Sequence, residues 1–184
     1  MSSVELNPSS REEIISALQD TASSLVAWFG ELSPERYFQA PPSGKWSLDQ
    51  HLRHVTLVLE RVGLGFAELR PAEVQAGPGR TYLQLRDDYR AALSAGGTTP
   101  PAFAPAPASQ QTAAAQAQAL QALQSASVTL VQHLGQPGWT EHALDSVRLP
   151  HVLLSQLSAR EMLFFTVYHN LHHLEGARNS MEQQ

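Results

Sequence analysis

Ser158-Ala159-Arg160-Glu161-Met162-Leu163-Phe164-Phe165-Thr166-Val167-Tyr168-His169-Asn170-Leu171-His172-His173 is the stretch that decides the fold. It opens on a serine with a glutamate three residues on, a capping box that satisfies two otherwise orphaned donors at a helix start. Met162, Phe165, Tyr168 or His169, His172 or His173, and Gly176 then follow one stripe of helical period. The spacing predicts a helix that buries one side and carries its histidines on that side or at its edge. At about 100° per residue, His169 and His173 differ by only about 40°, so both rings can reach one ion; His172 falls about 60° to the other side of His169 and competes for the second place.

A matching window stands far upstream. Trp46-Ser47-Leu48-Asp49-Gln50 repeats the capping pattern, and the helix it starts carries His51 and His54. Leu48, Leu52, Val55, Leu59, Val62 and Phe66 mark its apolar face, which persists to Leu69 before Pro71 stops it. His54 sits beside Val55 on the core stripe, whereas His51 lies within the first turn, so geometry favours His54. The two windows together hold five of the eight histidines. Imidazole is the commonest protein ligand for zinc and similar ions, and two helices meeting across a core can assemble such a site without a dedicated loop.

Two further long helices complete the pattern. Ser9-Ser10-Arg11-Glu12-Glu13 caps a first helix, with Ile14, Leu18, Leu25 and Trp28 at helical spacing to about Glu31. Pro34, Pro41, Pro42 and Gly44 then break the chain. A third bundle helix, about Ser109 to Leu134, has Leu120, Leu123, Leu130, Val131 and Leu134 on its apolar side, inside a span from Arg90 to Glu141 with no charged residue between those two. Between the second and third helices, Gly77-Pro78-Gly79, a short helix from about Thr81 to Leu93, and the stretch from Gly96-Gly97 to Pro107 make a long connection. Gly135-Gln136-Pro137-Gly138-Trp139 opens a loop to about Leu157. No alternating strand pairs, solenoid repeat or glycine-rich phosphate loop is read, which leaves an all-α, up-and-down four-helix bundle as one domain over residues 1–184, its core about 9–178.

Composition narrows the function classes. A chain of 184 residues can bury a core without staples, so a bound metal is expected to be functional rather than a scaffold. The absence of cysteine removes thiolate zinc sites and a cysteine nucleophile, and with an N-terminus lacking a signal pattern it points to the cytoplasm. No apolar run approaches the roughly 20 residues that span a bilayer, so no membrane partner is expected. A net charge of -5 with 12 Lys+Arg argues against nucleic acid. Zinc proteases of the HExxH type also pair histidines at this spacing, but Asn170 follows His169 where their glutamate base would stand.

Trp46-Ser47, then six residues, then His54, followed much later by Leu157-Ser158-Ala159-Arg160-Glu161-Met162-Leu163 and Tyr168-His169-Asn170-Leu171-His172-His173, resembles the DinB/YfiT-like metal-dependent enzymes over roughly Ser9 to Arg178. The resemblance implies a four-helix bundle with a three-histidine site for zinc or nickel, water in the open positions, and His54, His169 and His173 as ligands. It also implies pairing into a homodimer and a stress-response setting. Family sequences often carry glutamine three residues after the last ligand, where this chain has Gly176. Some relatives transfer low-molecular-weight thiols such as bacillithiol or mycothiol to electrophiles, so the expected activity is a thiol S-transferase acting on a small molecule.

Three neutral imidazoles leave a dication's charge uncompensated and a coordination place open, the pattern of catalytic rather than structural zinc. His51 and His172 are expected around the triad as orienters or proton carriers, with Tyr168 and Glu60 as weaker candidates. A metal-dependent hydrolase and a non-catalytic binding module are the alternative readings.

Overall fold

The computed structural model describes residues 6–41, 45–68 and 79–182. The chain breaks expected at Pro42 and Gly44, the helix end at Leu69 and Pro71, and the turn residues Gly77 and Pro78 lie outside the described residues. Four long helices build the bundle: α1 (Arg11–Gly30), α3 (Leu48–Glu68), α5 (Ala113–Leu134) and α7 (Ala159–Glu182). The short helices α2 (Pro34–Phe38), α4 (Tyr82–Ser94) and α6 (Glu141–Ser146) lie in the connections.

The two capping boxes expected from sequence are made, and the serine cap expected for α1 is a third. Ser10 and Glu13 close the start of α1, Ser47 and Gln50 that of α3, and Ser158 and Glu161 that of α7. Each leaves fewer orphaned backbone donors at an end that would otherwise need water. Every apolar position expected on α3, from Leu48 through Phe66, is buried. On α1 the fully buried aromatic is Phe29, while Trp28 sits half-buried at the edge beneath Arg178. Burying Leu52, Leu59 and Leu130 completely contributes about 1.5–3 kcal/mol each.

Spatial neighbours are not always sequence neighbours. Both α1 and α3 pack between α5 and α7, so α1 and α3 face each other across the diagonal. Gln116 of α5 ties this arrangement to the end of α1, donating to the carbonyls of Phe29 and Leu32 at 3.0 Å each. The uncharged span thereby contributes a buried polar clamp as well as small side chains.

Within the described part of the long second connection, residues 96–107 are exposed or half-buried, whereas α4 is built into the core. Tyr82, Leu85 and Tyr89 of α4 are buried, and α4 packs along α7. A single 3-10 turn, Pro101–Phe103, then lies against α3.

The expected loop from Gly135 to Leu157 is instead α6 followed by an antiparallel hairpin, β1 (Arg148–His151) and β2 (Ser155–Ser158). Strands of four residues with a proline in one give almost no period-two signal. They are held by long-range packing: the cross-strand pair Leu149 and Leu157 is buried. Glu161 fastens the far end, accepting from the Ser158 amide and from the Arg80 amide and Nε. Among the described residues no helix is long and apolar enough to cross a membrane.

Candidate metal centre

Contact between α3 and α7 brings the two histidine windows together. His54, His169 and His173 are all buried, and each offers a ring nitrogen within 4.8 Å of the others, a set that could hold a metal ion. His54 Nε2 lies 3.0 Å from His169 Nε2. Two nitrogens at about 2.0–2.1 Å from a common ion stand roughly 3–3.4 Å apart, so the spacing fits one divalent ion between them.

The surroundings set which nitrogen is free. His54 Nδ1 lies 2.7 Å from the carbonyl of Phe103. A carbonyl only accepts, so Nδ1 carries the proton and Nε2 keeps its lone pair toward His169. His173 Nδ1 is 3.1 Å from His51 Nδ1. One of the two must donate; with His173 as donor, its Nε2 is free for an ion and His51 accepts. His169 Nδ1 is buried without a hydrogen-bond partner among the described residues.

Electrostatics keeps the rings neutral. Burial pushes His169 and His173 well below the ordinary imidazole range, reinforced by the neighbouring histidines. His54 is lowered by burial, against the opposing bond to the Phe103 carbonyl. His51 is pushed down to about 4, again chiefly by burial. Neutral imidazole is the form that donates to a metal.

Other residues singled out in the sequence divide clearly. His51 touches the cluster through His173. His172 is half-buried; its ring lies 6.0 Å from Tyr168 and 6.3 Å from Tyr89, and 5.3 Å from the His173 ring. Tyr168 packs against Tyr89 and His172. Glu60 is exposed on α3. At Gly176 a Cβ would come within 3.7 Å of the His51 ring, so His51 borders the space a larger residue there would enter.

Three participants have no role assigned from the sequence. Trp46, part of the motif that carries the family resemblance, lies over the cluster, stacked at 17° on His173 and 4.9 Å from His54. The Phe103 carbonyl arrives from the long connection, for which no local signal exists. His151, in the hairpin, is pushed down to about 4 by burial with Arg80 adding to the shift, and it lines a cavity of about 530 Å³ together with His54 and His169.

A family model described as the DinB superfamily matches residues 17–177. No curated protein matches the sequence. Among solved structures the chain is similar to the crystal structure of TT2238, a four-helix bundle protein, with a TM-score of 0.57 and 19% identity, covering 92% of this chain and 99% of that one. At that identity the likeness bears on the fold.

Proposed function

We propose that this chain, which belongs to the DinB superfamily, is a metal-dependent enzyme that transfers a low-molecular-weight thiol to a small electrophile. The observation that carries the reading is a buried set of three neutral histidines, two of which, His54 and His169, line a mainly apolar cavity. When bound, a divalent ion of the zinc or nickel type would lower the pKa of a coordinated thiol and favour its thiolate near neutral pH.

The chain's own residues supply the rest. His54, His169 and His173 would hold the ion, the Phe103 carbonyl fixes the tautomer of His54, and His51, accepting at Nδ1, would leave Nε2 of His173 free for it. Trp46 shields the cluster from water on one side. The cavity orients the electrophile. In the overall reaction the thiol loses its proton to solvent, a carbon–sulfur bond forms, and the leaving group departs with the electron pair of the bond it had to carbon.

The test uses zinc- or nickel-loaded protein, a thiol (bacillithiol, mycothiol, glutathione or cysteine), and an aryl chloride. Thioether and chloride should appear in equal amounts, with no acceleration by His169→Ala. No acceleration with any of these thiols, or equal acceleration by the variant, would overturn the reading. Thiol-independent hydrolysis of an ester or amide would point to the hydrolase instead.

A further inference from the structure

The cavity beside the three histidines is walled by apolar side chains, among them Val58, Val62, Met162 and Phe165, yet His151 also lines it. In β1, His151 shares a face with Leu149, two residues earlier, which turns it inward where the hairpin packs on α7. Its ring lies 4.3 Å from that of Phe165.

The hairpin turn fixes its protonation. His151 Nδ1 accepts from the backbone amides of Leu153 and Leu154, at 3.2 and 3.1 Å. A nitrogen accepting two N–H groups holds no proton, so the neutral ring carries its hydrogen on Nε2. Ser155, with φ 61°, takes the left-handed conformation that closes this turn. His151 thus presents a donor of fixed tautomer beside the apolar side chains of Phe165 and Leu149 on a mainly apolar wall. An apolar pocket with few, well-placed polar groups gains orientation and specificity from them.

We propose that His151 is a specificity-determining residue whose Nε2–H binds the acceptor oxygen of a hydrophobic carbonyl or carboxylate compound held in this cavity. The mouth favours the acidic member of that class: among the described residues the exposed Arg61 and Arg148 both line it, against the one carboxylate of Glu68. Glu161, the carboxylate near Arg148, is 3.8 Å away and already engaged by Arg80. The inference rests on the cavity being the substrate site, but not on the ion, because the donor belongs to the hairpin.

The test is calorimetric titration of the purified protein with decanoate and with decyltrimethylammonium, which has the same apolar chain and no acceptor. Metal content and thermal midpoint are measured for every variant. His151→Asn keeps an oxygen where Nδ1 accepts the turn amides but deletes the inward donor; His151→Gln restores an N–H near the Nε2 position. Wild type should bind decanoate saturably and prefer it to the cation. His151→Asn should weaken decanoate about tenfold, the scale of one lost hydrogen bond to a charged acceptor, and His151→Gln should recover most of it, with metal content unchanged in both.

Should the asparagine variant not fold, the wild type still decides, because the 15N signal of His151 Nε2 must move on saturation with decanoate. Equal binding of the cation, unweakened binding by a folded His151→Asn, or an unmoved Nε2 signal would overturn the proposal. Decanoate binding that follows this pattern in protein with no affinity for metal would instead leave the His151 role standing while removing the metal-dependent reading.

Discussion

His54 Nε2 stands 3.0 Å from His169 Nε2, although 115 residues separate them in the chain. Neither nitrogen can be satisfied by the other unless one carries a proton. The bond from His54 Nδ1 to the Phe103 carbonyl already commits the proton of that ring elsewhere. The pair is therefore arranged to share a cation, or a single proton on His169, between two lone pairs.

The neighbours of the triad should differ sharply in their effect on metal affinity. His51→Ala removes the partner 3.1 Å from His173 Nδ1 and should weaken zinc binding about 10–100-fold, the usual cost of losing such an orienting group. His172→Ala, whose ring packs on Tyr168 and Tyr89, should change it less than about threefold. Competition titration with a chelating dye measures both. Equal losses would show that His51 has no orienting role.

Acid should destabilise the metal-free protein in a defined window. His51 and His151 are each lowered to about 4 in the folded state, below the roughly 6.5 of an unfolded chain. Between those values the unfolded state binds protons that the folded state refuses, so the unfolding free energy rises with pH there and falls as pH drops from about 6.5 toward 4. Above about 6.5 both states are neutral at these rings and their contribution to the slope vanishes. Urea unfolding at a series of pH values reads the slope; His151→Asn should make it shallower, and an unchanged slope would count against a buried neutral His151.

Much of this architecture is legible in the amino-acid sequence. The α3 stripe can be followed residue by residue because one helix face is buried against neighbours along its whole length, and capping boxes are local in sequence. Helical geometry puts His169 and His173 within reach of one ion but leaves His172 in competition, and favours His54 for its place beside Val55; the family resemblance is what names the three together. The hairpin, α6, Trp46 as a lid and the Phe103 carbonyl are not legible, because each is defined by what it meets across the fold. In sequence His51 and His172 look alike, each a neighbour of chosen ligands. Only the crossing of α3 with α7 separates them, by setting His51 against His173.

Glu161 should matter to stability far from any chemistry. Its buried carboxylate accepts from the Ser158 amide and from Arg80, and Glu161→Ala would leave those donors unpaired at the root of the hairpin. Because Arg80 is half-exposed and also meets Asp88, losing Glu161 costs about 2 kcal/mol, which for a chain of this size lowers the melting midpoint by roughly 4–8 °C. Differential scanning calorimetry checks it, and a shift below about 2 °C would show that the capping box and ion pair add little.

Elemental analysis of protein loaded with zinc or nickel and then dialysed tests the three-histidine centre most directly. Wild type should hold about one ion per chain, and His54→Ala, His169→Ala and His173→Ala should each hold far less while keeping the helical signal of the parent. A wild type that holds no ion, or a His169→Ala variant that keeps a full equivalent, would contradict a metal centre built from these three side chains.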